Sequence, residues 1–282
     1  MSVCSGDPTK PGNWKTYSEA VADGDFDYLA AKPEEGALFV DSVQGCGTET
    51  PHVNAIGAKL WMSYHNLGAG NSQSTLLAIS SDGVNFERVH GLQNSVILDY
   101  DPAEHPGDGH TGCFRWGVNP LLAWKYRYIG YSLHGGGQDP HSALWGSNDV
   151  LHWKRLDILD LSIGNACIPD RRMVWHQVDV NSIKRLPGGE YVGVTAAKTK
   201  SYGGRARLGD LYEVCLSRKG NELTRPIHRI LPDTLGPRDE EQPSVLCVGE
   251  TWYLVYLSKT GGKDGVNELH IASGTFELDP RP

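Results

Sequence analysis

Four copies of one short pattern constrain the fold of this chain more than any other feature. Each copy has a proline or asparagine anchor inside a strand-like run, and the anchors are Pro51, Pro120, Asn181 and Pro243. The anchors are separated by 69, 61 and 62 residues. Self-similarity at a nearly fixed period is typical of repeat architectures, in which each copy forms one supersecondary unit.

Each anchor is followed by further runs with the character of β-strands. The second run is rich in aromatic residues, as in LWMSYH around Trp61 and WYLVYLS around Tyr253. A third run and a polar turn follow, ending at Gly83 in the first copy, and in most copies a fourth run comes next. Four short strands per repeat are typical of a β-propeller blade, and the 34 glycines and 16 prolines fit a chain with many turns.

We therefore predict an all-β fold, a five-bladed β-propeller that forms one domain over residues 1–282. Four blades are evident from the repeats. The segment Ser5–Ser18, in which Asp7 and Trp14 are spaced like a turn and an outer strand, is expected to supply part of a fifth. A four-bladed propeller is the alternative, but five blades fit the length better. The innermost strands of the blades would surround a central channel.

Composition excludes several classes of partner. The formal net charge is −8 and Lys/Arg runs are short, so we expect no nucleic-acid partner. No stretch approaches the roughly 20 apolar residues of a membrane helix. Residues 1–14 lack the apolar core of a signal peptide, which leaves a cytoplasmic location or secretion after signal removal open. Six cysteines without a C-x-x-C pair predict thiols rather than a zinc site, and the oligomeric state stays open.

Three of the four copies carry an acid two residues before the anchor. These acids are Glu49, Asp179 and Glu241, while the second copy has Val118. Equivalent positions on inner strands would bring the three carboxyl groups together in the channel. Converging carboxylates repel one another and separate their pKa values, which provides an acid and a base for glycoside hydrolysis. Alternatively, the acids accept hydrogen bonds from neighbouring blades.

One of these motifs resembles a known enzyme family. The stretch Glu49-Thr50-Pro51-His52 is similar to the Glu-Gly-Pro-His stretch that carries the general acid in family 43 glycoside hydrolases, the arabinanases and xylosidases. The polar turns before aromatic outer strands look like those of the same superfamily, which includes fructan-hydrolysing enzymes. The resemblance implies a five-bladed propeller that cleaves glycosidic bonds of an oligo- or polysaccharide, with inversion, and Glu49 as the acid.

The chain departs from this family in two places. Asn119-Pro120 stands where relatives have a catalytic Asp-Pro, so Asn119 is expected to bind substrate rather than to act as a base. Arg238-Asp239 resembles the Arg-Asp of the fructan-cleaving enzymes, which makes Asp239 a second substrate-binding candidate. These departures describe a divergent branch of the superfamily.

Histidines near the inner strands are further candidates. His52, His110 and His176 lie on predicted inner strands or on the loops leading to them. A neutral imidazole serves as general acid or base, and His176, three residues before Asp179, is the first choice for a catalytic role. In some propeller glycosidases a channel histidine helps to hold calcium, so a structural Ca²⁺ in the channel is expected as an option, with no required cofactor. A hydrogen-bonded rim residue is the alternative for each.

The remaining candidates would contact a sugar at the channel mouth. Trp116 and Trp175 either stack on a sugar or pack between blades. Arg115 lies at the same mouth, and Arg205 would clamp the carboxylate of an acidic sugar. Two other functions compete with hydrolysis. One is a carbohydrate-binding propeller without catalysis, and the other is a polysaccharide lyase with a His or Tyr base.

Overall fold

The computed structural model describes residues 2–4, 6–23, 48–66, 74–92, 95–99, 111–134, 141–160, 173–199, 209–224, 228–230, 239–259 and 267–274. These residues lie almost entirely in β-strands and their turns, apart from a 3₁₀ turn at Pro11–Asn13 and a short helix α1 at Tyr17–Ala22. The strands are β1 (Ser2–Cys4), β2 (Trp14–Thr16), β3 (Thr48–Ile56), β4 (Lys59–Asn66), β5 (Thr75–Ser80), β6 (Glu87–Arg88), β7 (Val96–Leu98), β8 (Arg115–Val118), β9 (Tyr128–His134), β10 (His141–Ser147), β11 (Trp153–Ile158), β12 (Met173–Arg185), β13 (Tyr191–Thr199), β14 (Gly209–Leu216), β15 (His228–Arg229), β16 (Asp239–Val248), β17 (Thr251–Lys259) and β18 (Asn267–Gly274).

The strands form four antiparallel sheets that follow one another along the chain. Sheet 1 has the order β3-β4-β5-β6, with β7 also paired to β5. Sheet 2 is β8 to β11, sheet 3 is β12 to β15, and sheet 4 is β16 to β18. Each sheet therefore begins at one of the predicted repeats. The prediction of a mainly β chain built from repeated sheets is confirmed, and β1 and β2 form a separate two-stranded sheet.

A recurring polar turn shows why the repeats fold alike. In sheet 1, Ser80 Oγ lies 3.0 Å from Asp82 Oδ1, and that oxygen accepts the backbone N–H groups two and three residues further on. In sheet 2, Ser147 and Asp149 make the same set of contacts. Short polar side chains favour such turns because they satisfy backbone donors locally. The turn leads from β5 to β6 and from β10 to β11.

Apolar side chains pack between consecutive sheets. The cluster between sheets 1 and 2 includes Leu77, Phe114, Trp116 and Tyr128. The cluster between sheets 2 and 3 includes Ile129, Tyr131, Val178 and Tyr212, and Leu211 and Tyr256 join sheets 3 and 4. In the described part of the chain, no helix is long and apolar enough to cross a membrane.

Two adjacent leucines test this packing. Leu121 is completely buried between sheets 2 and 3, whereas its neighbour Leu122 is 73% exposed. We expect Leu121→Ala to lower the free energy of unfolding by about 2–5 kcal/mol, because it removes buried methyl groups and leaves a cavity. The matched control Leu122→Ala should change it by less than about 0.5 kcal/mol. Urea unfolding measures both, and equal losses would contradict the packing described here.

Candidate active site

Glu49 and Glu241 occupy the same place in the strand registers of two sheets. Glu49 pairs with His65, and the register then shifts so that His52 pairs with Ser63. Glu241 pairs with Leu257 and is followed by the same shift, in which three residues face two on the next strand. A bulge of this kind redirects a side chain and is common beside active sites. The repeat therefore brings these two acids to one level of their sheets, at the start of an inner strand.

Asp179 also precedes a register shift. The register of β12 shifts between Trp175 and Val178 and again after Asp179, which pairs with Val194, whereas the next paired residue, Lys184, pairs with Val192. Glu49 and Glu241 are likewise the last paired residues before a shift in their strands. Trp175 precedes the first shift of β12, and His176 lies within it.

The second copy is displaced. Val118 is 69% exposed and lines a cavity of about 280 Å³ together with Asn54, Pro120 and Asn181. Asn54 lies beyond the bulge in β3, five residues from Glu49, and its side chain also lies 3.4 Å from that of Asn181. Val118 is thus at the end of the inner strand away from Glu49. Val118 is therefore not at the register position of Glu49 and Glu241, and its lack of a carboxyl group does not remove an acid from that position.

Asp179 is a buried anchor between sheets 3 and 4. Its side chain is completely buried, and its two carboxyl oxygens accept the N–H groups of Asn181 at 2.9 Å and Val245 at 2.7 Å. Burial raises the pKa of Asp179, while nearby Arg115 and the two N–H donors oppose that rise. Asp179 therefore accepts hydrogen bonds from the backbone of sheets 3 and 4, as expected if the acid has a structural role.

Arg115 and His52 link sheet 2 to sheet 1. Both side chains are buried, and Arg115 Nη1 lies 3.2 Å from His52 Nδ1, while His52 Nε2 lies 2.8 Å from the carbonyl oxygen of Trp116. Since a carbonyl only accepts, Nε2 carries the proton and Nδ1 accepts from the guanidinium. Burial and the charge of Arg115 lower the pKa of His52 to about 3, so this ring is neutral at neutral pH. Burial also lowers the pKa of Arg115, against the attraction of Asp179.

His65 is a site residue that the sequence patterns did not single out. It is 2% exposed, and its Nε2 lies 3.3 Å from Oε2 of Glu49, which is 51% exposed. Its Nδ1 accepts the backbone N–H of Cys113 at 3.3 Å. Burial and Arg115 lower the pKa of His65 to about 4. The only sequence signal was its place at the end of the aromatic run LWMSYH, directly across β3 from Glu49.

Two residues with left-handed backbone adjoin this pair. Thr50 has φ +50° and Cys113 has φ +53°, and Cys113 Sγ lies 3.8 Å from Thr50 Oγ1. Non-glycine residues rarely adopt such angles, and they cluster at functional sites when they occur. Glu49, His65, Thr50 and Cys113 therefore form one contiguous group where β3, β4 and the segment before β8 meet.

Three substrate-binding candidates have other roles in this structure. Trp116 is completely buried, donates its indole N–H to Ser63 Oγ at 3.1 Å and packs edge-on against Tyr128, so it does not offer a face to a sugar. Asn119 donates to two backbone carbonyls of the following turn and accepts one N–H, which makes it a turn residue. Arg115 is buried and engaged as described above.

The other candidates are placed only in part. Trp175 and His176 lie in β12, and Asp239 and Glu241 lie in β16, where the backbone but not their side chains is described. His110 and Arg205 lie outside the described residues. Within the described part of the chain, no group of three or more His, Cys, Asp or Glu side chains could hold a metal ion.

Several solved structures are similar to this fold. One described as a glycoside hydrolase has a TM-score of 0.57 and 14% identity, over 80% of this chain and 70% of that chain. A BT0996 RGII complex gives 0.54 and 14% over the same shares. The alpha-L-arabinanase of Penicillium chrysogenum, complexed with arabinobiose, gives 0.51 and 11% over 83% of this chain and 63% of that chain.

The chain has the fold of these hydrolases. No protein-family model matches the sequence, and no curated protein matches it either. At identities this low the likeness concerns the fold alone, and an assignment of function depends on the residues of the site.

The buried histidine His52 predicts a pH-dependent stability. Its pKa is about 3 in the folded chain, against 6.5 for an unperturbed ring, so the unfolded chain binds more protons between these limits. Stability should therefore fall as the pH drops from 6.5 towards 3, by up to about 1.4 kcal/mol per pH unit for this residue. His65 contributes with the same sign, and Asp179, whose pKa is raised, with the opposite sign.

A difference measurement isolates this contribution. His52→Gln keeps a donor and an acceptor but does not titrate, so its unfolding free energy should depend less on pH between 6.5 and 4 than that of the parent chain. Urea unfolding at several pH values measures both slopes. The same slope in both chains would show that the ring is not held neutral.

Proposed function

We propose that this protein is a glycoside hydrolase that cleaves glycosidic bonds of an oligo- or polysaccharide in the central channel of a propeller. The observation that carries the proposal is the shared register of Glu49 and Glu241, each beside a bulge at the start of an inner strand. Two carboxyl groups on either side of a scissile bond are the minimum apparatus of glycoside hydrolysis. The fold likeness supports the same reaction class.

The three acids have different roles. Glu49 and Glu241 act as the acid and the base, and the buried Asp179 has the modulating role. Glu49 is 51% exposed and can reach a substrate, whereas Asp179 is buried and bound to two N–H groups. An inverting mechanism requires roughly 6.5–9.5 Å between the two carboxyl groups, to leave room for water. His176, within the first register shift of β12, is a further candidate for proton transfer.

The substrate is expected to be a sugar held at the mouth of the channel. Trp175 is the candidate for stacking, Asp239 and His110 are candidates for hydrogen bonds, and Arg205 is the candidate that would bind the carboxylate of an acidic sugar. Arg115 is buried and bonded to His52, so it is not available to neutralise a uronate. The arabinobiose complex of the fungal neighbour makes arabinose-containing polymers the first substrates to test.

One observation favours a second function, carbohydrate binding without catalysis. The carboxyl oxygens of Asp179 are bound to backbone donors rather than presented to the channel, and the charge of Arg115 lies nearby. If Glu241 is engaged in the same way, only Glu49 remains for chemistry. Activity measurements separate the two functions.

Hydrolysis is tested on aryl glycosides and plant or algal polysaccharides, with release of reducing ends as the signal. We expect Glu49→Gln and Glu241→Gln each to lower kcat by about 10²–10⁴-fold, because proton transfer by a positioned carboxyl group contributes that much. Glu87→Gln, in the outer strand β6, is the matched control and should retain activity.

Two results would reject this function. One is a chain that is inert on the whole panel, and the other is full activity of both glutamine variants. Sugar binding without turnover, measured by calorimetry, would then support the non-catalytic propeller.

We further propose that five blades form the single domain, with Ser5–Ser18 contributing to the fifth. Sheet 4 supports this, since Leu246, Val248 and Leu269 on it are 57–58% exposed. An exposed apolar patch on a sheet is unfavourable in water unless another element covers it. A further blade beside sheet 4 would provide that cover.

Substitution on this patch tests the fifth blade. If it is covered, Leu246→Ser should destabilise the chain by more than about 1 kcal/mol, whereas exposed substitutions stay within about 0.5 kcal/mol. Leu122→Ser, at an exposed leucine elsewhere, is the control. In a chain that lacks residues 2–23, Leu246→Ser should no longer lower the free energy of unfolding. A small effect of Leu246→Ser in the full chain would contradict the proposal.

A further inference from the structure

Glu49 and His65 face one another across an antiparallel strand pair. They are register partners in β3 and β4, so their side chains leave the sheet at directly opposite positions. The Nε2 of His65 lies 3.3 Å from the Oε2 of Glu49. His65 is buried and Glu49 is half exposed, so the buried ring is the group that can orient the carboxylate.

The hydrogen-bond partners of His65 determine which nitrogen carries its proton. The backbone N–H of Cys113 points to Nδ1, and because an N–H group only donates, Nδ1 is the acceptor. Burial keeps the ring neutral, with one proton, and that proton is then on Nε2. The proton on Nε2 is therefore on the side of the ring that faces Glu49 Oε2, 3.3 Å away.

The described neighbours of His65 favour this arrangement. Glu49 faces it from β3, and Thr75 is its neutral register partner on β5. Cys113, from the segment before β8, supplies the N–H, and Arg115 of β8 adds a positive charge that opposes a second proton on the ring. The ring is thus restrained as a single-proton donor.

We propose that His65 is a positioning residue for Glu49, and that it holds one oxygen of the carboxylate so that the rest of this half-exposed group is presented to the substrate. The inference rests on the proposed hydrolase function. Without the donor, Glu49 would sample several rotamers, and a displacement of about 1 Å at a reacting group costs about 10²-fold in rate. His65 acts through Glu49 and need not touch the sugar.

Kinetics of two variants test the role. His65→Phe keeps a planar ring but has no donor, and we expect kcat to fall by about 10–10²-fold with little change in KM. His65→Gln supplies an amide N–H near the position of Nε2 and should recover much of that loss. In a Glu49→Gln background, His65→Phe should cost little more, because residues that act as a unit are not additive. Thermal melting of each variant checks that the fold is retained.

The outcomes are distinguishable from failure of the hydrolase proposal. Full activity of His65→Phe, or an additive loss in the Glu49→Gln background, would overturn the positioning role alone. Full activity of both Glu49→Gln and Glu241→Gln, or an inert parent chain, would overturn both proposals. Nitrogen-15 NMR of the imidazole gives a test that does not need turnover: the neutral Nε2–H form should be seen at about pH 6, with a resonance that shifts in Glu49→Gln. The Nδ1–H form or a doubly protonated ring would overturn the proposal.

Discussion

Burying the guanidinium of Arg115 would be costly if it were unpaired, and the inner strands are arranged so that it is paired. His52 of sheet 1 accepts from it, and Asp179 of sheet 3 offers an opposite charge. Asp179 in turn binds the N–H of Val245 in sheet 4. These contacts join sheets 1 and 2 through Arg115 and sheets 3 and 4 through Asp179, with the two opposite charges near each other.

Exposure separates the polar groups of these strands. His52, Arg115 and Asp179 are buried. Glu49, which precedes a register shift, is half exposed and lies within ion-pair distance of His65. A catalytic group needs access to the substrate as well as a fixed orientation, and among these residues Glu49 has that access.

The repeat spacing was sufficient to predict the sheets and the equivalence of Glu49 and Glu241, because hairpin turns and aromatic strands recur with little change in length. The second copy departs from this spacing, since Val118 is the last residue of β8 and pairs with Tyr128. The sequence does not show whether Trp116 packs in the core or stacks on a sugar, because an indole is suited to both. His65 was missed because its importance depends on a partner across the sheet, which a local pattern does not reveal.

Thr50, which follows Glu49, has a strained backbone. A non-glycine residue in the left-handed region, as Thr50 is with φ +50°, costs roughly 1–2 kcal/mol, and glycine at this position would avoid that cost. Glycine would also remove the contact between Thr50 Oγ1 and the Cys113 thiol, on the segment whose N–H binds the His65 ring. The strained threonine, the bulge and the buried histidine thus all adjoin Glu49. Strained non-glycine residues cluster at functional sites, which agrees with the role proposed for Glu49.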